Sequence, residues 1–194
     1  MGYTEHSFPH VIKAAEESSE ILKALGYDER TCELARIAGY MHDLGNVVNR
    51  DGHAQTGACM AFRILEKLGM SPEETAEVVS AIGNHDESTA TTVSPIAAAL
   101  IIADKSDVRR SRVRAKNDLL HFDIHDRVNY AVYHSDLSVD TEKMTVTLKL
   151  NIDTSNCPVI DYFEIFLNRM TLCRKSAHYL GLRFRLIIND AEII

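Results

Sequence analysis

The amino-acid sequence predicts a mainly α protein, a helical bundle followed by a small C-terminal α+β appendage of β-β-α-β order. Three observations predict it. From Val11 to Val108, apolar residues recur at the three- and four-residue spacing of amphipathic helices, punctuated by glycines and capping residues. Beyond about His125 the period changes to two: Val146, Leu148, Leu150 and Ile152 alternate with Thr147, Lys149 and Asn151. With 194 residues, 45% hydrophobic and 25% charged, the chain suffices for one good core and a small appended unit. The expected division is a helical domain over 1–125 and a subdomain over 126–194 packed on it.

The elements follow in order. Val11, Ala14, Ala15, Ile21, Leu22 and Leu25 form one helical stripe, with Pro9 suited to its first turn and Gly26 to its C-cap. Asp28 opens a second helix whose stripe, Leu34, Ile37, Ala38 and Met41, runs into His42-Asp43 and stops at Gly45. Asn49-Arg50-Asp51-Gly52 is a turn, and His53 then leads a third helix that ends at Gly69. Ser71-Pro72-Glu73-Glu74 combines an N-cap, a first-turn proline and acidic residues, predicting a fourth helix to about Asn84. His85 falls at its end. Ser94-Pro95 opens a fifth, from Ile96 to about Val108. In the appendage, Asn129 to Tyr133 is expected to pair antiparallel with the Val146 to Ile152 strand across a Ser135 to Lys143 turn region. Pro158 to Leu180 reads as a helix, and Leu182 to Ile188 as a last strand whose Arg183 and Arg185 face water.

His10, His42, Asp43, His53, His85 and Asp104 supply four imidazoles and two carboxylates, each at or near a helix end. Singly, each reads as an ordinary core or surface residue; together they form a metal-ligand inventory. Imidazole and carboxylate suit divalent Fe, Mn, Zn, Ni or Mg, one ion or two, and the chemistry implied is hydrolysis by a metal-bound water. Asp104, inside an otherwise apolar helix, must be paired, protonated or bound to a cation.

On these residues the chain resembles the HD-domain superfamily of metal-dependent phosphohydrolases. The carrying segments are His10 to Ala15, Ala38-Gly39-Tyr40-Met41-His42-Asp43-Leu44-Gly45, His53 to Ala58, Ala81 to His85, and Ile101-Ile102-Ala103-Asp104. The resemblance implies an all-helical core in which His10, His42, Asp43 and Asp104 hold one metal. In the subgroup with two extra histidines, which this chain looks like, Asp43 bridges to a second metal held by His53 and His85. His42 and Asp43 are the catalytic pair so implied. Among known groups the fit is to the bacterial diadenosine tetraphosphate hydrolases, although Asn46 stands where they carry a lysine. The HD-GYP group is disfavoured, because no Gly-Tyr-Pro follows Asn84-His85-Asp86-Glu87. His6, a turn before His10, reads as solvated.

Lys105, Arg109, Arg110, Arg112 and Arg114 form a basic run directly after Asp104. Read as one helix face, the run is either simply solvated or a phosphate-binding surface, with Lys105 and Arg109 the expected contacts to a substrate phosphate and Arg112, about one turn further from the metals, the internal control. Asp107, one turn beyond Asp104, is a candidate to orient a ligand imidazole or a lysine from behind, the plainer reading being a surface carboxylate. Asp86 and Glu87 are candidate proton donors.

A formal net charge of −7 argues against a nucleic-acid coat or an anionic membrane as the main partner. Cys32, Cys59, Cys157 and Cys173 are dispersed and read as reduced thiols. No apolar run approaches the ~20 residues of a membrane span, and the polar Tyr3 to Ser7 stretch is no signal sequence, so a cytoplasmic address is expected. The predicted function is hydrolysis of a phosphoester or phosphoanhydride in a small, nucleotide-like substrate. The alternative is a metal- or nucleotide-binding regulatory module without turnover. The appendage suits an added role in homodimerisation, substrate choice or regulation.

Overall fold

A computed structural model describes residues 8–113, 124–155 and 158–194, with backbone alone for 124–126. His6, Arg114 and Cys157 lie outside the described residues. The helices are α1 (Phe8–Ala24), α2 (Glu29–Met41), α3 (His53–Lys67), α4 (Pro72–Gly83), α5 (Pro95–Ser106), α6 (Ile124–Ala131) and α7 (Val159–Tyr179). The strands are β1 (Val132–Asp140), β2 (Thr145–Ile152), β3 (Arg183–Ile188) and the two-residue β4 (Ala191–Glu192). Two 3₁₀ turns span Leu44–Val47 and Arg110–Arg112.

The starts of α2, α4 and α5 are capped as expected. The side chains of Asp28, Ser71 and Ser94 accept from the backbone N–H of Thr31, Glu74 and Ala97, satisfying amides that a helix start leaves orphaned. Every residue of α5 from Ile96 to Ser106 is buried. A helix apolar on all sides belongs at the centre of a core, and α1, α2, α4 and α7 all pack on it.

The four strands form one sheet in the order β1-β2-β3-β4. β1 pairs antiparallel with β2, β2 pairs parallel with β3 through the α7 crossover, and β4 turns back on β3. Val146, Leu148, Leu150, Phe184, Leu186 and Ile188 point into a core cluster that also contains Leu22, Leu34, Ile82, Leu100 and Phe166. The helical part and the appendage thus share one core. The boundary expected at 125/126 falls inside α6.

One expectation is corrected. Asn129 to Tyr133 is not the strand that pairs with β2, because residues to Ala131 are helical and the strand begins at Val132. Val128, Ala131 and Val132 are all fully buried, and that three- and four-residue spacing is helical. Most of the expected turn, Ser135 to Asp140, is strand; the turn is confined to 141–144. As a sheet edge with one neighbour, β1 tolerates the polar His134, Ser135, Asp136 and Ser138, which made it read as loop.

Candidate metal centre

Two glycines assemble the site. A Cβ on Gly39 would lie 2.6 Å from the Ala15 Cα, so the bare glycine lets α2 close onto α1, bringing His42 to His10. A Cβ on Gly45 would lie 2.0 Å from the His53 carbonyl oxygen. That second absence lets the 3₁₀ turn after Asp43 seat on the start of α3, bringing Asp43 to His53. The third wall is the C-terminal end of α4 with His85, and the floor is the end of α5 with Asp104.

All six residues read as ligands converge, and each is buried. His10 Nε2 lies 3.2 Å from Asp104 Oδ1 and 3.6 Å from Asp43 Oδ2. His42 Nε2 lies 3.5 Å from Asp43 Oδ2 and 3.6 Å from Asp104 Oδ1. On the other side, His53 Nε2 is 3.2 Å from His85 Nε2 and 3.7 Å from Asp43 Oδ1. Asp43 thus turns one oxygen to each pair of histidines.

The outer nitrogens are held in a common way. His42 Nδ1 faces the Gly39 carbonyl at 2.7 Å, His53 Nδ1 that of Arg50 at 2.9 Å, and His85 Nδ1 that of Ile82 at 2.6 Å. Each acceptor is three residues upstream, so the ring is fixed by its own local turn. His10 Nδ1 instead meets the Asp107 carboxylate at 2.7 Å. With Nδ1 occupied as donor, a ring in its neutral form carries its lone pair on Nε2, where it faces the centre. This is the usual support of a metal-ligating histidine.

Two groups, His10, His42, Asp104 and His42, Asp43, His85, have donor atoms that lie within 4.8 Å of one another. His42 Nε2 is buried with no hydrogen-bond partner among the described residues. An imidazole lone pair and oxygens grouped this way match the donor set of a divalent ion, so the residues fit one.

Electrostatics divides the histidines. Burial presses the His85 pKa down to about 3, with His42 and Lys105 adding to the shift, so the ring is neutral at physiological pH. Burial and the Arg50 charge likewise lower His53. For His42 burial pulls downward, but the Asp43 and Asp104 carboxylates outweigh it. Burial would raise Asp104, yet Lys105 and the two histidines hold it well below the ordinary carboxylate range.

The basic run does not follow one helix face. α5 stops at Ser106, and Asp107 leaves helical geometry with ψ 74°. Lys105, only 5% exposed, turns inward, with Nζ 2.6 Å from Asp104 Oδ2. Arg109 Nε donates to Asp107 Oδ1 at 2.8 Å, on the carboxylate that holds His10. Arg112 lies on no solvated face and is unsuited as a control: it is 3% exposed and donates to the Asp107 carbonyl at 2.7 Å. Of the candidate proton donors, Glu87 pairs with Arg169. Asp86 is raised by burial, but a hydrogen bond from Ser88 and the charge of Lys105 bring it below its usual value, favouring the ionised form.

One site residue, Arg50, was missed in the sequence, and Asn46 was noted only as standing in place of a lysine. Arg50 reaches His53 Nε2 at 3.3 Å, Asn46 Oδ1 at 3.3 Å and Asp43 Oδ1 at 3.9 Å. Asn46 donates from Nδ2 to Asp43 Oδ1 at 2.6 Å. Arg50 sits in a segment that signals only a turn, and nothing in that signal points to a site.

A model of the HD domain family matches residues 7–116. The chain is also similar to the uncharacterized protein MJ1020 of Methanocaldococcus jannaschii, with 27% identity over 147 residues, covering 64% of this chain and 56% of that protein. It therefore spans little more than half the length of this relative. The family match covers more than half the chain and takes in all six converging histidine and aspartate residues: the chain belongs to the HD domain family.

Proposed function

We propose that the protein is a metal-dependent phosphohydrolase acting on a small, nucleotide-like phosphoester or phosphoanhydride. The observation that carries this reading is the orientation of the four histidines. Each has Nδ1 engaged on a carbonyl or carboxylate and Nε2 turned to the shared centre around Asp43. His10, His42, Asp43 and Asp104 would hold one divalent ion, and His53, His85 and the second oxygen of Asp43 another. Bound there, the metal would supply Lewis acidity toward a phosphoryl oxygen and lower the pKa of a coordinated water.

The chain's own side chains position and neutralise. Asp107 fixes the His10 ring, and Lys105 fixes the Asp104 carboxylate. Arg50, with a side chain 32% exposed beside Asp43 and His53, has the reach and charge to take a phosphate oxygen. Lys105 and Arg109 are engaged on Asp104 and Asp107, so a phosphate contact from either would require it to leave its partner. No helix among the described residues is long and apolar enough to cross a membrane.

The test is a phosphate-release screen over nucleotides, dinucleoside polyphosphates and simple phosphoesters. It uses protein stripped of metal and reloaded separately with Mn, Fe, Zn, Ni or Mg. Turnover that appears only on reloading supports the reading. Tight metal binding with no turnover across the screen would favour a sensor instead.

A further inference from the structure

The loop that carries Arg109 and Arg110 meets the end of α6 and the start of β1 around a cavity of about 610 Å³. Its walls include Arg109, Arg110, Tyr130, Tyr133, His134 and Ser135. No carboxylate is among the described lining residues, on a chain whose formal net charge is −7.

Arg110 is the centre of this cavity. Its guanidinium carbon lies 4.2 Å from the centroids of both the Tyr130 and the Tyr133 rings, and its Nε donates to the Tyr130 carbonyl at 2.5 Å. It has no carboxylate partner among the described residues. A guanidinium clamped between two aromatic faces has its planar fork already oriented, so it loses little freedom on pairing with an oxyanion. Arg109 supplies a second positive charge, 28% exposed. Val113 and the tyrosine rings give an apolar wall beside these charges. The volume falls within the ordinary range for small-molecule sites, about 300–1,000 Å³.

The cavity lies behind the metal centre. Arg109 binds Asp107, and Asp107 holds the Nδ1 edge of His10, opposite the Nε2 that faces the other ligands. We propose that this cavity is a second binding site, separate from the metal centre, for a small molecule carrying a phosphate or diphosphate group. The two arginines take the anion and the tyrosine wall packs the remainder. An anion on Arg109 would compete with Asp107 for that guanidinium, so occupancy would be felt at His10.

The test titrates methylenediphosphonate, a diphosphate analogue that resists hydrolysis, calorimetrically into the full chain as purified and again with EDTA present. Chelation silences the metal centre, so one site per chain should remain with EDTA. Arg110→Ala should weaken that site at least tenfold. So should Ser111→Glu, which sets a carboxylate on the exposed rim and leaves the Arg110 contacts intact should Arg110→Ala unfold. Arg50→Ala, at the metal centre, should leave it unchanged. No binding with EDTA, undiminished binding by Ser111→Glu, or a loss in Arg50→Ala would each overturn the proposal.

Discussion

The two halves of the histidine cluster are built from the same side chains but surrounded differently. Around His10 and His42, both fully buried, the facing atoms are the carboxylates of Asp43 and Asp104, and a further carboxylate, Asp107, stands behind His10. Around His53 and His85 the carboxylate Asp43 Oδ1 is already engaged by the Asn46 amide, a guanidinium reaches His53 at 3.3 Å, and the Asp86 carboxylate stands further off at 3.9 Å. The first half turns Asp43 Oδ2 and Asp104 Oδ1 to a cation, with Lys105 held on the other oxygen of Asp104. The second must displace a positive side chain to accept one, and at about 4 Å two unit charges repel by roughly 4 kcal/mol at a surface-like dielectric. On the proposed reading, ligand identity alone would not set the number of ions; the neighbours of the ligands would.

The largest effect should come from breaking the half that both readings of metal number share. His42→Ala or Asp43→Ala should abolish metal binding and phosphate release while circular dichroism stays near wild type, since neither side chain belongs to the apolar core. Full activity in either variant would sink the assignment. Next, Asp107→Ala removes the acceptor of His10 Nδ1, and metal affinity should fall about 10- to 100-fold. Calorimetric titration with Mn²⁺ reads this directly.

Smaller, and aimed at the difference between the halves, is Arg50→Ala. Without the guanidinium, the affinity for a second ion should rise about tenfold, the equivalent of about 1.4 kcal/mol. Native mass spectrometry at graded Mn²⁺ should show a two-ion species at lower concentration than in wild type. An unchanged occupancy curve would mean that Arg50 does not oppose the second ion. His53→Ala should remove that species and leave the one-ion form.

An effect of similar size, on stability and not on the metal, concerns the negative surroundings of the first half. Burial raises the Glu17 carboxyl to about 7, against its pairing with Lys13 and with the Asp107 charge adding to the rise. A carboxyl raised in the folded state contributes stability that is fully present below the unfolded value near 4.5 and is lost as pH climbs through about 7. Glu17→Gln should therefore be more stable than wild type at pH 8, by on the order of 1–2 kcal/mol, with the gain vanishing by pH 4.5. Urea unfolding at the two pH values checks it.

Much of this architecture was legible in the residues. Caps at Asp28, Ser71 and Ser94, and glycines closing stripes of apolar residues, are local signals, and the helices they bound match. The six clustered residues were legible because each sits at a helix end or in an apolar stripe where it needs a partner. Less legible was anything that depends on where the chain goes after a helix stops. The run after Lys105 read as one helix face, but Asp107 ends α5 and sends Arg109 back onto its own carboxylate. Arg50 looked like a turn residue because its target, His53, is itself defined only once Gly45 lets the turn settle against α3. The Tyr130 and Tyr133 clamp on Arg110 joins residues about twenty positions apart, across the change from helix to strand that the sequence blurred.

The central claim is that His10, His42, Asp43 and Asp104 form the primary metal position. Anomalous diffraction from crystals soaked in Mn²⁺ tests it most directly. A strong peak within coordination distance of His10 Nε2, His42 Nε2, Asp43 Oδ2 and Asp104 Oδ1 is the predicted result, with a weaker peak, or none, beside His53 and His85. A dominant peak beside His53 and His85, or no peak in the cluster at saturating Mn²⁺, would contradict the account.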